Sequence, residues 1–158
     1  MSNITIAEDL LSQVKLPKDI LIRQFVEKDF PAVQRLYEKE GWMTFIERAD
    51  EGLKAWKNST ITLVAVEKEL VVGLVRALTD GKITTYIAEI IVDSNYRRKD
   101  IGKALLDVCH NLYPRTRLDL LSTEGADEFY ERNKFRKTTG FRKSYYLNNQ
   151  VHNVTMLI

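Results

Sequence analysis

Four basic side chains surround the start of a predicted helix in the middle of this chain. They are Arg97, Arg98, Lys99 and Lys103. The first N–H groups of a helix have no partner within the helix and carry partial positive charge, so a helix that begins at Ile101 attracts anions. Gly102 has no Cβ and lets a ligand approach the backbone closely. These residues predict a phosphate site between a strand that ends at Val92 and the following helix, and we call the intervening residues 93–100 the basic loop.

Two widespread nucleotide motifs are missing from the sequence. It contains no Gly-x-x-x-x-Gly-Lys-Ser/Thr and no Gly-x-Gly-x-x-Gly after a predicted strand. A nucleotide hydrolase and a dinucleotide-dependent oxidoreductase are therefore disfavoured. The alternative for the basic loop is a solvated surface run, which is what most clusters of charge are.

The residues from Arg97 to Gly102 resemble the acetyl-CoA signature of the GNAT superfamily of N-acetyltransferases, Arg/Gln-x-x-Gly-x-Gly/Ala. Asp100 stands where that signature has its first glycine, and its carboxylate repels a pyrophosphate unless the side chain points away. We interpret Asp100 as an N-terminal helix residue, favoured there by capping and by the helix dipole. The resemblance implies that the N–H groups of residues 98–103 bind the pyrophosphate of acetyl-CoA, with the basic side chains adding attraction.

The strand before the basic loop receives a role from the same resemblance. In the family this strand separates from its parallel neighbour, and its exposed backbone pairs with the pantetheine arm of the cofactor. The alternative is a simple core strand, and both can hold because backbone bonds do not compete with side-chain packing. The predicted cofactor-binding residues are Ile90, Ile91, Val92, Arg97, Arg98, Lys99, Asp100, Ile101, Gly102 and Lys103.

A second resemblance lies in segment 126–135, which is similar to the family's helix that ends Phe-Tyr-Glu-Lys-x-Gly-Phe. It implies that the hydroxyl of Tyr130 lies near the CoA sulfur and donates a proton to the departing thiolate. Lys134 stands at the glycine position, and we expect Asn133 to take the left-handed conformation that ends the helix. The alternative for Tyr130 is an amphipathic core residue with its hydroxyl at the rim.

Glu89 is the candidate proton acceptor, because it interrupts an apolar strand one position before Ile90. An amine reaches the active site largely as an ammonium ion and must lose a proton before it attacks a thioester. A carboxylate whose pKa is raised by partial burial can accept that proton, directly or through water. The alternative is a strand carboxylate paired with a lysine or an arginine.

The elements that position these residues follow from the hydrophobic periodicity. In the first part of the chain, this periodicity predicts a helical arm at 1–17 and a strand at 19–25. A helix follows from Asp29 to Gly41, with Pro31 in its first turn. A second helix is predicted at 44–56, and it opens with a capping box of Thr44 and Glu47. The remainder predicts strands at 61–66, 70–78, 83–92 and 118–122, helices at 101–113 and 126–132, and a final strand pair at 141–147 and 151–158.

This order of elements, β-α-α-β-β-β-α-β-α-β-β, is that of the GNAT fold and covers nearly the whole chain. It implies an α/β (α+β) architecture with a mixed central sheet of about six to seven strands and about four flanking helices. We expect residues 1–158 to form a single acetyltransferase domain, since a chain of this length buries a substantial core.

Composition narrows the function classes further. The net charge of +2 disfavours a nucleic-acid binder, and no apolar run is long enough to span a membrane. A single cysteine, Cys109, excludes an internal disulfide and fits a reducing cytoplasm, while the N-terminus lacks a signal-peptide pattern. His110 and His152 stand apart without metal-ligand spacing, so no metal is expected.

The sequence therefore predicts a cytoplasmic N-acetyltransferase that moves an acetyl group from acetyl-CoA to a primary amine by direct attack in a ternary complex. No covalent acyl-enzyme is expected, because no activated serine or cysteine is evident. The alternative is a non-catalytic acyl-CoA-binding or sensing module on the same fold, which Asp100 favours and which Tyr130 and Glu89 disfavour. The acceptor stays open between a small amine and a protein amine, and the sequence does not decide between a monomer and the homodimer common in the resembling family.

Overall fold

The computed structural model describes residues 13–145. The chain divides into two compact units, Met1–Asp119 and Leu120–Ile158, so that residues 13–119 and 120–145 are described as separate bodies. The prediction of one domain over 1–158 is not tested by this division and stays a prediction.

A mixed five-stranded sheet with the order β1-β2-β3-β4-β5 forms the centre of the structure. Its strands are β1 (Ile20–Gln24), β2 (Ile61–Glu67), β3 (Leu70–Thr79), β4 (Thr84–Val92) and β5 (Arg117–Leu120). The first four strands form an antiparallel meander. The predicted hairpin is confirmed, with Lys68 at a φ of 55° in its turn.

Five α-helices lie in the described part of the chain. They are α1 (Phe30–Lys39), α2 (Thr44–Glu47), α3 (Ala49–Asn58), α4 (Ile101–Leu112) and α5 (Asp127–Arg132). Pro31 occupies the first turn of α1, where its missing N–H costs nothing. The first unit therefore has the predicted helix before the hairpin and the predicted helix after the basic loop.

Helices cover both faces of the central strands. The residues of β2 from Ile61 to Val66 are all buried, as expected for a strand packed on two sides. On one face, Leu74 and Ile91 join a core cluster with the aromatic side chains of α1, α2 and α3. On the other face, Ile101 of α4 lies against Gly73. The sheet is thus enclosed where β4 leads into the basic loop.

Asp93 anchors the point at which β4 ends. Its carboxylate accepts the N–H of Asn95 at 3.1 Å and the ammonium group of Lys39 at 3.0 Å, and Arg35 lies 3.5 Å away. Burial acts to raise the pKa of Asp93, but these donors outweigh it and hold the pKa below its usual value. Helix α1 thereby fixes the first residue of the basic loop.

Several predicted elements differ from the structure. Residues 13–17 are not helical and residues 141–145 form no strand, whereas the rest of the predicted arm and of the final strand pair lies outside the described residues. The predicted helix at 44–56 is two helices with a break at Arg48, whose φ of −118° and ψ of 54° are not helical. The capping box is wrong, because Thr44 lies inside α2 and no side chain caps that helix. The described sheet accordingly has five strands rather than six or seven.

Candidate active site

The basic loop reaches α4 through two residues in the left-handed conformation. Arg98 has a φ of 63° and Asp100 a φ of 64°. Asp100 occupies the N-cap position without a side-chain capping bond, so the expectation that it caps α4 is wrong. Glycine adopts this backbone without strain, which explains why the resembling signature has glycine where this chain has Asp100.

The first turn of α4 leaves its N–H groups available. The first helical hydrogen bond runs from the N–H of Ala104 to the carbonyl of Asp100 at 3.0 Å. The N–H groups of Ile101, Gly102 and Lys103 therefore precede the helical hydrogen-bond ladder and carry the positive end of the helix dipole. The structure thus has an open helix start at this point, and the binding of a pyrophosphate there stays a prediction.

Internal partners hold three of the four basic side chains. Arg97 donates to the carbonyl of Val92 at 3.0 Å and forms an ion pair with Glu40. Lys103 lies 2.6 Å from Asp107, and the ammonium group of Lys99 lies 5.2 Å from the centre of the Tyr96 ring. Arg98 is exposed and forms no ion pair within residues 13–145. Of the four basic side chains, Arg98 thus has the fewest interactions with other described residues.

The end of β4 extends past its neighbour β5. The N–H of Arg117 donates to the carbonyl of Ile83 at 2.9 Å, which sets the beginning of β5 beside the start of β4. Strand β5 has 4 residues and β4 has 9. At about 3.3 Å per residue, β5 is too short to accompany β4 as far as Ile90–Val92. The predicted pantetheine-pairing segment therefore lies beyond the stretch that β5 covers.

A β-bulge lies immediately before this segment. Arg76 is opposite Glu89, but Ala77 is opposite Ile87, so Ala88 is an extra residue without a partner on β3. Such a bulge bends the strand and increases its local twist. It also sets the direction of Glu89, the residue that follows.

Glu89 is held by an arginine on the neighbouring strand. Arg76 Nε lies 2.6 Å from Glu89 Oε2, and Arg76 Nη2 lies 2.7 Å from Glu89 Oε1. The two side chains are 15% and 16% exposed. Arg76 Nη1 also donates to Ser59 Oγ at 3.1 Å, and its guanidinium group lies 5.5 Å from the centre of the Phe45 ring. The pairing named above as the alternative role for Glu89 is present.

Two buried aromatic residues extend this polar network. The hydroxyl of Tyr37 donates to Glu89 Oε2 at 3.1 Å and accepts the indole N–H of Trp56 at 3.2 Å. Burial, and then the charge of Glu89, raise the pKa of Tyr37 far above its usual value, so its hydroxyl stays protonated and acts as a donor. Phe45 stacks on the Tyr37 ring with the two ring centres 4.1 Å apart. The carboxylate thus receives donors from both α1 and β3.

Tyr130 lies on α5 in the second unit. Its ring makes edge contacts with Phe129 and Phe135, at centre-to-centre distances of 5.1 Å and 5.5 Å. Burial raises the pKa of Tyr130 to about 12. Its hydroxyl has no hydrogen-bond partner among the described residues, which leaves it able to donate to a ligand.

The end of α5 corrects one expectation about the conformation of its last residues. Asn133 has a φ of −94°, whereas Lys134 has a φ of 71°, so the left-handed residue is Lys134 and not Asn133. Lys134 occupies the position of the glycine in the resembling motif. The side-chain amide of Asn133 instead donates to the carbonyl of Phe129 at 2.8 Å.

The first unit brings together most of the predicted site residues. Glu89, the segment Ile90–Val92 and the basic loop follow one another along β4 and into α4. Tyr130 belongs to the second unit and is described by its own surroundings. Arg76 and Tyr37 were missed from the sequence, although a lone arginine within the apolar strand 70–78 was a usable signal for a partner of Glu89.

Two negative findings apply to the described residues. Within 13–145, no group of three or more His, Cys, Asp and Glu side chains is arranged to hold a metal ion. The described helices include none that is long and apolar enough to cross a membrane.

Comparison with known proteins gives one family and one fold. The family model described as an acetyltransferase (GNAT) domain matches residues 58–137, which include β2, the basic loop and α5. The comparison with curated protein sequences found no match.

Solved structures with the same fold come from several organisms. A GNAT family acetyltransferase from Streptococcus pneumoniae has a TM-score of 0.65 and 24% identity, covering 83% of this chain and 98% of that one. Ard1 from Thermoplasma volcanium has a TM-score of 0.63 and 24% identity, with coverages of 76% and 84%. An aminoglycoside acetyltransferase from a soil metagenome, in complex with sisomicin, has a TM-score of 0.64 and 21% identity, with coverages of 82% and 97%.

At these identities the structural neighbours establish the fold alone, and the family rests on the match over 58–137. That match spans the strand, the basic loop and the helix on which the sequence prediction depended. This chain belongs to the GNAT family of acetyltransferases and is an acyltransferase.

Proposed function

We propose that this protein transfers an acetyl group from acetyl-CoA to a primary amine by direct attack in a ternary complex. The observation that carries the proposal is that three features follow one another along the chain: a strand end with a β-bulge, the basic loop with left-handed residues at Arg98 and Asp100, and a helix start whose first N–H groups have no helical partner. An extended acyl-CoA needs a strand edge for its amide-containing arm and N–H donors for its pyrophosphate. Both lie here in the required chain order.

The residues of the site fit an acyl-CoA. The N–H groups at the start of α4 suit a pyrophosphate, and the positive φ of Asp100 turns the backbone there as a glycine would. Arg98 is the side chain best able to approach the phosphates, because Arg97 and Lys103 already have carboxylate partners. Bound acetyl-CoA would supply an activated thioester, and the chain would supply position and proton handling.

Each proposed catalytic group has one task. The backbone between Ala88 and Val92 orients the thioester through hydrogen bonds and polarises its carbonyl. Glu89 accepts a proton from the ammonium form of the acceptor, directly or through water, and the neutral amine then attacks the thioester. Tyr130 donates to the sulfur as it leaves. Neither a nucleophilic residue nor a covalent acyl-enzyme is involved.

The acceptor class follows from the charge and the rings near α2. Met43 and Asp50 are exposed there and Trp42 is partly buried beside Tyr37, with a distance of 6.4 Å between the two ring centres. We infer that a cationic amine binds on this side of the site, through ring faces and carboxylates. Trp56 is fully buried and serves the core rather than the acceptor.

The first experiment is calorimetric titration with acetyl-CoA, CoA and ATP. Micromolar binding of acetyl-CoA with little response to ATP is the expected result. An amine panel read by thiol release follows, containing spermidine, a lysine peptide, a peptide with a free N-terminus and sisomicin, the ligand of one structural neighbour. Tight binding with no turnover of any amine would favour the non-catalytic module, and no binding would overturn the proposal.

Gly102→Val is the matched test of the cofactor site. A β-branched side chain at the second position of α4 occupies the path of the pyrophosphate, so we expect at least a roughly tenfold loss of acetyl-CoA affinity. Gly102→Ala should give an intermediate loss, since it adds one carbon. Thermal unfolding controls for stability, and unchanged affinity in a folded Gly102→Val protein would contradict the placement of the site.

A further inference from the structure

Among the residues that the structure describes, the hydrogen bonds of the Arg76 side chain go to Glu89 and Ser59. Its Nε and Nη2 donate to the two oxygens of Glu89, and its Nη1 donates to Ser59 Oγ. Ser59 in turn donates to the carbonyl of Ala55 at 2.6 Å. The guanidinium group is therefore fixed from α3 and directed at the candidate proton acceptor.

The carboxylate of Glu89 is nearly saturated with donors. An ionised carboxylate has roughly four lone-pair positions. Of the described residues, Arg76 takes one on each oxygen and Tyr37 takes a second on Oε2, so the position that they leave open lies on Oε1. A substrate amine or a water has one oxygen to which it can donate, and the direction of that oxygen is set by Arg76.

Arg76 and Tyr37 are the titratable groups that face Glu89 from β3 and α1. Glu89 lies on a half-buried strand, and burial without a counter-charge favours a neutral carboxyl group, which cannot accept a proton. The fork of Arg76 offsets this penalty with two short charge-assisted bonds.

We propose that Arg76 is a positioning residue of the acetyl-transfer reaction, which fixes the carboxylate of Glu89 through two hydrogen bonds and directs toward the amine the oxygen position that no described residue occupies. This inference rests on the proposed function, since it assigns Arg76 a part in the proton transfer proposed for Glu89. It accounts for an arginine on the sheet face that otherwise holds an aromatic and aliphatic core.

The test is the pH profile of kcat/KM for acetyl transfer to the best amine of the panel, in wild type, Arg76→Met, Arg76→Lys and Glu89→Gln. In Arg76→Met the acid limb should move up by about one pH unit or more, because the carboxylate has lost its counter-charge. Activity lost near neutral pH should then return partly under alkaline conditions. Arg76→Lys should keep the limb near its wild-type position while kcat falls, since a lysine restores charge without the fork.

Folding is controlled by the double variant Arg76→Met/Glu89→Gln, which removes both charges together. A second readout does not require turnover: carbon-13 NMR of labelled glutamate carboxyl groups, with Glu89 assigned from the Glu89→Gln spectrum. The Glu89 signal should titrate at higher pH in Arg76→Met than in wild type.

The outcomes separate the two proposals. A wild-type protein that acetylates no amine would end the proposed function and this inference with it. An active wild type with an Arg76→Met profile that is lower at every pH but unshifted would overturn the inference alone. A limb that persists in Glu89→Gln would likewise show that Arg76 does not act through this carboxylate.

Discussion

At the residue scale, the backbone conformation and the charge of Asp100 have opposite effects on a phosphate ligand. Its φ of 64° suits glycine, and aspartate is among the residues that tolerate this region best. The residue is exposed and its side chain makes no capping bond, and Lys103 of α4 interacts with its charge only through space. Asp100 therefore allows the shape that a phosphate site needs and opposes the charge of the ligand.

Asp100→Asn should raise the affinity for acetyl-CoA several-fold. Asparagine keeps the tolerance for positive φ and removes a charge whose repulsion of a phosphate near the surface amounts to about 1 kcal/mol. Calorimetry at low and high salt measures the gain, which should shrink with salt. Glu69→Gln, at the exposed end of the β2–β3 hairpin, is the matched control and should change nothing. An affinity that falls in Asp100→Asn would show that the carboxylate supports the loop.

Tyr130→Phe should lower the rate of the chemical step by about tenfold or more while leaving acetyl-CoA affinity nearly unchanged. Because the pKa of Tyr130 is raised to about 12, the hydroxyl stays protonated throughout a normal assay range and should add no limb to the pH profile. Single-turnover kinetics measures the step. Tyr145→Phe, at an exposed tyrosine of the same unit, is the control. An unchanged rate would show that Tyr130 has a packing role and donates no proton in the chemical step.

At the element scale, the break between α2 and α3 lets Gly52 of α3 pack against Phe45 of α2, which one straight helix would not allow. Gly52 of α3 lies where an added Cβ would be 2.8 Å from Phe45 Cδ1 and 3.4 Å from Phe30 Cζ. The Phe45 ring is itself confined between Tyr37 and Arg76. This close approach supports the surface on which Arg76 and Glu89 meet.

Gly52→Ala should destabilise the protein by about 1–3 kcal/mol, although alanine is the better helix former by about 1 kcal/mol. The added carbon must displace a ring that has no room to move, so the strain exceeds the gain in propensity. Denaturant unfolding measures the change. Lys54→Ala, at an exposed position on the same helix, should be neutral or slightly stabilising. A stabilised Gly52→Ala protein would contradict the close packing.

The fold elements near the site show which features a sequence can predict. The strand that ends at Val92 and the helix that begins at Ile101 were predicted at their observed limits, because both depend on local periodicity and on a helix start. The break at Arg48 was not predicted, because the hydrophobic spacing from Phe45 to Trp56 continues through it. Tertiary packing of Gly52 against Phe45 overrides the local preference there.

At the scale of the whole molecule, burial, partial in the case of Tyr130, keeps three ionisable side chains in their neutral forms. Cys109 is fully buried on α4, and burial raises the pKa of its thiol to about 12. Burial also raises the pKa of Tyr37 and Tyr130. In the unfolded chain these groups titrate near their ordinary values, so high pH stabilises the unfolded state.

The free energy of unfolding should therefore fall above about pH 9, by about 1.4 kcal/mol per pH unit for each group that ionises only after unfolding. The sign follows from the raised pKa values: the native state keeps protons that the unfolded state has lost. Denaturant unfolding between pH 7 and the alkaline range measures the decline. In Cys109→Ala the decline should begin about one pH unit later, when the tyrosines of the unfolded chain titrate. An identical onset would show that the thiol is not the first group to ionise on unfolding.

The sequence by itself determined the strand–loop–helix unit and the family, because these depend on hydrophobic periodicity and on a local motif. It also placed Glu89 and Arg76 on neighbouring strands without revealing that they meet. Only the tertiary structure decided that pairing, since the register of β3 on β4 and the bulge at Ala88 set which side chains face each other. It likewise decided that Asp100 and Lys134 take left-handed conformations. A single residue adopts such a strained backbone conformation only where the surrounding structure holds it there.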